Sequence, residues 1–244
     1  MKEQEIKLIN DAEHINQFLT HWTGRDKTDD TAFFILSKIV NSGQLKFSSN
    51  PISFPSNNWT FNGKMICFTD TPIALSIDHC RRYNYFGLSF NKQKLIEYGA
   101  NSVFYLVDNR QKSLDFMITV RPYDNELLNL ANWISSSFQP YDSKKFSKDN
   151  WAEFYEREWR ITRVLPYKWI GLAEQSRGQF NEYPYQGKIL GEIISDKPDD
   201  IEFYLEFDKS IIENIIIPST FEKSKAIKLI EDNNLDCELI ILKT

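Results

Sequence analysis

The stretch that decides the fold runs from Lys64 to Phe90 and reads KMICFTDTPIALSIDHCRRYNYFGLSF. It begins with a short apolar run, Met65 to Phe68, bounded by polar residues, which predicts a buried strand. A turn is predicted at Thr69 to Pro72, because Asp and Thr cap helices well and proline suits a first helical turn. A short helix carrying His79 follows, and Leu88 to Phe90 predicts a second strand. Such a strand-to-helix corner, dense in reactive side chains, is where functional sites are often built.

The chain before this corner is predicted to hold two helices, one strand and one loop. Apolar spacing predicts a helix over residues 1 to 20 and a second from about Asp30 to Asn41, which Gly43 ends. The segment from Leu45 to Ser48 predicts a strand, and several breaker residues predict a loop from Asn50 to Asn62.

The chain after the corner alternates between strands and short helices. The clearest of these predicted elements are a helix at Lys92 to Tyr98, strands at Ser102 to Asp108, Ile201 to Phe207 and Ile211 to Pro218, a helix at about Phe221 to Asn233, and a strand at Cys237 to Leu242. These elements predict an α+β fold with a mixed or antiparallel sheet core and short helices. We expect a single α+β domain over residues 1–244, in which 200–244 form a ββαβ-type extension.

Composition limits the classes of function. The chain has 244 residues, of which 41% are hydrophobic and 14% aromatic, enough for a sizeable core. Its net charge of −5 argues against binding of duplex DNA through a broad basic face. No apolar run approaches the roughly 20 residues of a membrane span. Three cysteines without framework spacing, and an N-terminus without a signal-peptide core, favour the reducing cytoplasm.

The segment Glu156-Arg157-Glu158-Trp159-Arg160 is the first candidate site. If it is extended, Glu156, Glu158 and Arg160 lie on one face of a strand. One interpretation is a carboxylate that binds or activates a substrate and is oriented by Arg160. The other is a ladder of surface ion pairs on an edge strand, which stabilises little.

Polar and aromatic pairs form the second candidate set. His21 and Thr23, two residues apart, point to the same side of a strand and could hold a polar ligand such as a ribose. The alternative is a histidine whose hydrogen bonds are satisfied at a strand end. Tyr83 and Tyr85 could stack on a planar ring, although closely spaced aromatics are more often part of a core or its rim.

A metal site is not expected. Cys67, Asp70, His79 and Cys80 lie in one stretch, but their spacing matches none of the paired-ligand patterns of zinc. Cys67 is better explained as a core residue. The chain also lacks a nucleophile elbow, a P-loop, GxGxxG and His-Glu-x-x-His, which argues against most common hydrolases, NTPases and dehydrogenases.

The order of the motifs resembles a known family. They are His21-Trp22-Thr23, Gly43-Gln44-Leu45, Cys67 to Pro72, His79, Tyr83 to Gly87, Val103-Phe104-Tyr105, and Tyr155 to Arg160. This order, over roughly residues 20–165, is similar to the AbiGi family, described as antitoxins of bacterial abortive phage resistance. The resemblance implies phage defence and a partner toxin of the nucleotidyltransferase type.

A more distant similarity is to ADP-ribosyltransferases, including DarT-type enzymes that modify nucleic acid. In that superfamily an early His and Thr hold the NAD ribose, aromatics pack the nicotinamide, and a strand Glu assists loss of nicotinamide. The roles that this resemblance implies are NAD binding by His21 and Thr23, stacking by Tyr83 or Tyr85, and catalysis by Glu156 or Glu158 with Arg160 beside them. The cleft expected from it also includes Asp70 and His79, and the implied fold is ADP-ribosyltransferase-like.

Three functions remain open at this point. The first is an NAD-using enzyme of phage defence that modifies a nucleic acid or a protein. The second is a non-enzymatic antitoxin or sensor that binds a partner toxin. The third is a nucleotide- or RNA-processing enzyme without NAD, which would hold phosphates with Lys144, Lys145 and Lys148.

Overall fold

A computed structural model describes residues 16–54, 59–107, 138–141, 157–163, 179–180, 188–193 and 201–243. The strands are β1 (Phe18–Thr23), β2 (Gln44–Lys46), β3 (Ser48–Phe54), β4 (Trp59–Thr69), β5 (Phe86–Asn91), β6 (Ala100–Ser102), β7 (Phe104–Val107), β8 (Phe138–Tyr141), β9 (Glu158–Arg163), β10 (Gln179–Phe180), β11 (Lys188–Ile193), β12 (Ile201–Glu206), β13 (Ile212–Pro218) and β14 (Glu238–Leu242). The α-helices are α1 (Asp29–Ser42), α2 (Ile77–Tyr83), α3 (Lys92–Glu97) and α4 (Lys223–Asp232).

The central sheet is mixed and has the order β14-β13-β5-β1-β4-β9-β6, with β3 paired to β4. Its strands pair antiparallel, except that β13 and β14 are parallel and are joined through α4. A parallel pair needs such a crossover, because a tight turn cannot reverse the chain twice. A second sheet has the order β10-β11-β12-β2, and β7 pairs with β8. The α+β class predicted from the sequence is therefore confirmed.

The C-terminal segment takes part in both sheets. Strand β13 pairs with β5 in the central sheet, and β12 pairs with β2 in the second sheet. Ile215, Ile216 and Ile217 of β13 are fully buried. Burial of each such side chain stabilises the fold by about 1.5–3 kcal/mol. The order from β12 onward is strand, strand, helix, strand.

Helix α1 shows how local sequence sets the elements beside the site. Its buried residues Ala32, Leu36 and Val40 recur every four positions, so one face of the helix packs into the core. Thr28 caps the first turn by accepting a hydrogen bond from the Thr31 N–H. Gly43 ends the helix at a φ of 65°, a left-handed conformation that glycine adopts without steric cost.

Two predicted elements are wrong. Phe18 belongs to strand β1, not to a helix over residues 1 to 20, and residues 1–15 lie outside the described part. The predicted loop from Asn50 to Asn62 contains most of β3 and the start of β4, which pair from Ser48 and Met65 to Phe54 and Trp59. Pro51 is tolerated there because β3 pairs only with β4, which leaves one edge free of ladder hydrogen bonds in the described sheet.

Candidate functional site

A row of polar side chains crosses one face of the central sheet. Ser89 lies opposite Thr20, Thr20 opposite Thr69, and Thr69 opposite Glu158. Residues directly opposite each other point to the same face, so these four side chains are neighbours. The hydroxyl oxygens of Thr20 and Ser89 are 2.9 Å apart and form a buried hydrogen bond. Glu158 therefore stands at the end of a buried polar strip.

Glu158 is held by the guanidinium of Arg160. The two residues are two positions apart on β9 and share a face, as the sequence predicts for an extended segment. Arg160 Nε donates to Oε1 of Glu158 and Nη2 donates to Oε2, each at 2.8 Å. Burial disfavours the charge on Arg160, but the hydrogen bonds and negative charge of Glu158 outweigh it and raise the guanidinium pKa. This two-point contact fixes the orientation of the carboxylate.

His21 presents a neutral imidazole. Its Nδ1 is 2.8 Å from the Cys67 carbonyl oxygen, which can only accept, so Nδ1 carries the proton. Burial lowers the pKa of His21 below 6.5, and the hydrogen bond to Cys67 offsets this only in part. The ring also packs against Phe68, with centroids 5.7 Å apart. Nε2 is then unprotonated near neutral pH and bonds to none of the described residues, so it is available to accept a hydrogen bond from a ligand.

The polar face opens into a cleft of about 550 Å³, within the range of small-molecule sites. The described residues that line it are Thr20, His21, Trp22, Arg25, Lys46, Ser48, Ile66, Cys67, Phe68, Thr69, His79, Arg82, Tyr83, Tyr105, Glu158 and Arg160. They come from β1, the turn after it, β2, β3, β4, α2, β7 and β9, so segments distant in the sequence converge here.

The described lining of the cleft holds more cationic than anionic side chains, although the chain as a whole carries a net charge of −5 and Arg25 also pairs with Asp26 outside the lining. Its described cationic side chains are Arg25, Lys46, Arg82 and Arg160, and its described carboxylate is Glu158. Lys46 also forms an ion pair with Glu202 of the second sheet. Fields of like sign add inside a concave site with low-dielectric walls, so this cleft favours an anionic ligand.

Helix α2 supplies a flat aromatic surface to the cleft. His79 and Tyr83 are one helical turn apart and stack with ring centroids 6.3 Å apart and an interplanar angle of 23°. The Arg25 guanidinium carbon lies 5.4 Å from the Tyr83 ring centroid, a cation–π contact. The stacked pair and the cation together suit a planar ligand that carries negative charge nearby.

Five of the residues predicted from the sequence lie in one cleft: His21, His79, Tyr83, Glu158 and Arg160. Glu156, the other carboxylate considered for catalysis, lies outside the described residues. The same is true of Lys144, Lys145 and Lys148.

Three predicted cofactor-binding residues do not line the cleft. Thr23 is buried and lies opposite Phe86. Asp70 is buried and its carboxylate forms an ion pair with Lys92. Tyr85 does not continue the helical face that carries Tyr83, because α2 ends at Tyr83 and the chain turns away at Asn84, which has a φ of 82°. These three residues therefore make structural contacts in the described part of the chain, and their role in cofactor binding stays a prediction.

Trp22 is the most informative lining residue that the sequence interpretation missed. Its indole lies over Gly87 on the neighbouring strand, and a Cβ at that glycine would be 2.7 Å from Trp22 Cε3. The buried Nε1–H of Trp22 has no acceptor among the described residues. A glycine opposite an aromatic residue is a signal for such an arrangement, but it requires the strand register, which the sequence does not provide.

Within the described part of the chain, the cysteines and acidic residues do not form a metal cluster. Among the described residues no three His, Cys, Asp or Glu side chains converge as they would around a metal ion. Cys80 is buried, and burial raises the pKa of its thiol to about 12, so it stays protonated and unreactive. No described helix is long and apolar enough to cross a membrane.

No protein-family model, curated protein or solved structure matches this chain. The functional conclusion therefore depends on the geometry and chemistry of the cleft.

Proposed function

We propose that this protein is an ADP-ribosyltransferase-like enzyme that uses NAD, acts in the bacterial cytoplasm in phage defence, and modifies a nucleic acid or a protein. The observation that carries the proposal is the placement of Glu158, oriented by Arg160, in the same cleft as the neutral imidazole of His21. The motif order that resembles ADP-ribosyltransferases requires these groups to converge on one ligand.

Glu158 is the catalytic residue of this proposal. Loss of nicotinamide breaks the glycosidic bond, and the bonding electrons leave with the nicotinamide ring. Positive charge then develops on the ribose, as it does in glycoside hydrolysis. A fixed carboxylate beside that carbon stabilises the charge without having to reorganise. The nucleophile of the target then forms the new bond at the same carbon and releases its proton to water.

The other lining residues account for binding. His21 Nε2 can accept a hydrogen bond from a ribose hydroxyl, which is a donor. Tyr83 lines the cleft and is the aromatic residue that would contact a planar ring of the ligand. Arg25 and Arg82, which line the cleft, supply positive charge for the pyrophosphate. The donors, acceptors and charges of the cleft therefore fit a dinucleotide.

The test is release of nicotinamide from NAD by the wild type and by Glu158→Gln. The amide keeps the size of the side chain but removes its charge, so we expect kcat to fall by about 100-fold or more. Glu97→Gln is the matched control, because Glu97 pairs with Lys94 away from the cleft and should leave kcat unchanged.

Two results would count against the proposal. If Glu158→Gln kept more than about a third of the wild-type rate, this carboxylate would not stabilise the transition state. If the wild type neither bound nor cleaved NAD, the non-enzymatic antitoxin or sensor would become the better explanation. The defence role is tested separately, by counting phage plaques on cells that express the wild type or Glu158→Gln.

A further inference from the structure

A second charged cluster lies next to Glu158, outside the cleft. It consists of Asp70, at the end of β4, with Lys92 and Arg157. Asp70 is buried, and its Oδ2 lies 2.8 Å from Lys92 Nζ and 3.7 Å from Arg157 Nη2. Its Oδ1 accepts no hydrogen bond from the described residues. Both cations are therefore drawn to one oxygen of one buried carboxylate.

Asp70 and Lys92 contact the two chain neighbours of Glu158, which are Arg157 and Trp159. The Asp70 N–H donates to the Arg157 carbonyl at 3.1 Å, so Asp70 holds the residue before Glu158 through its backbone and its side chain. Lys92 Nζ, paired with Asp70, lies 4.7 Å from the ring centroid of Trp159, the residue after Glu158. The residue before Glu158 therefore contacts Asp70, and the residue after it contacts the Lys92 side chain that Asp70 pairs with.

The backbone at Arg157 needs such support. Its φ of 43° is in the left-handed region, which a residue with a Cβ adopts only at an energetic cost. The chain enters β9 through this conformation, so it sets the direction in which the Glu158 side chain leaves the strand. If Arg157 relaxed to an ordinary negative φ, the carboxylate would move relative to the cleft.

We propose that Asp70 is a positioning residue for Glu158: it holds Arg157 in the left-handed conformation and, through Lys92, fixes Trp159. This inference rests on the proposed function, because it assumes that the placement of Glu158 matters for turnover. The competing explanation is an ion pair that only stabilises the fold. The two differ in one respect: positioning through Arg157 can be restored by a residue that adopts a positive φ unaided.

The experiment compares Asp70→Asn with the double variant Asp70→Asn/Arg157→Gly. Asp70→Asn should lower kcat for nicotinamide release by about 10- to 100-fold, the scale of a misplaced catalytic group, while the Kd for NAD changes little. Glycine adopts a positive φ without cost, so the double variant should recover most of the lost kcat. Asp30→Asn removes an equal charge from an exposed ion pair with Lys225 and should have no effect. Failure of Arg157→Gly to restore kcat would overturn the proposal.

Hydrogen exchange measured without NAD separates this inference from the proposed function. The peptide that covers residues 157–163 should exchange faster in Asp70→Asn and return toward the wild-type rate in the double variant. That result would support positioning even if the wild type released no nicotinamide, and equal exchange in all three proteins would refute it. If Asp70→Asn did not fold, Arg157→Ala and Arg157→Gly would replace it. The side chain of Arg157 is half exposed, so both replacements should fold. Both remove its contact with Asp70, but alanine has a Cβ that opposes the positive φ and glycine does not. The alanine variant alone should therefore show the faster exchange.

Discussion

Replacement of Arg160 by methionine probes the core of the site most sharply. The Arg160 side chain is 3% exposed and that of Glu158 is 13% exposed, so both charges lie largely out of water. Methionine fills most of the volume of arginine but removes the partner of both Glu158 oxygens. A buried carboxylate without its partner costs about 3–5 kcal/mol. We therefore expect the free energy of unfolding of Arg160→Met to fall by that amount.

A double-mutant cycle turns this expectation into a measurement of the pair. Glu158→Gln leaves an amide that still accepts one hydrogen bond from Arg160, so it should cost less, about 1–3 kcal/mol. The double variant Arg160→Met/Glu158→Gln buries no unpaired charge and should be more stable than the sum of the single changes predicts. The expected coupling is about 1–3 kcal/mol.

The assay is urea unfolding of the four proteins at pH 7, followed by far-UV circular dichroism, with the slope m unchanged across the set. Costs below about 1 kcal/mol for Arg160→Met would be typical of an exposed ion pair. That outcome, or single changes that add without coupling, would refute the conclusion that a buried two-point contact orients Glu158.

Two further predictions concern residues around the cleft. Burial lowers the pKa of His21 below 6.5 in the folded state. The neutral imidazole therefore contributes fully to stability above pH 6.5, and this contribution is lost as the pH falls toward the pKa of His21 in the folded protein. His21→Asn keeps a donor for Cys67 but cannot titrate. Between pH 7 and pH 5 the free energy of unfolding of this variant should therefore depend less on pH, by up to about 1.4 kcal/mol per pH unit. Equal slopes of unfolding free energy against pH in the variant and the wild type would contradict this. Gly24→Ala should destabilise more than Gly43→Ala, since both have a positive φ but a Cβ at Gly24 would lie 2.3 Å from the Cβ of Ala32. Thermal unfolding of both variants tests the order, and equal melting temperatures would contradict it.

Local signals in the sequence predict much of the fold. The apolar spacing from about Asp30 to Asn41, followed by Gly43, predicts α1 and its end because a helix buries one face and glycine suits its left-handed cap. The alternation of Glu158 and Arg160 predicts their shared face, because side chains alternate along a strand. These properties depend only on residues close in the chain.

Other parts of the site depend on long-range pairing that local sequence does not determine. Lys46 and Ser48 lie in a segment that the sequence predicts as a strand, but they reach the cleft only because β2 pairs with β12 and β3 pairs with β4. Asp70 looks like a ligand-binding residue beside His79 in the sequence. Its partner Lys92 lies 22 positions away and approaches it only in the folded sheet.

Calorimetric titration of the wild-type protein with NAD shows whether the cleft binds a dinucleotide. We expect saturable binding of one NAD per chain with a Kd below about 1 mM, a free energy of more than about 4 kcal/mol. We also expect that Glu97→Gln binds with the same Kd. An absence of heat with millimolar NAD, from protein whose unfolding shows it to be native, would contradict the claim that this cleft is a dinucleotide site.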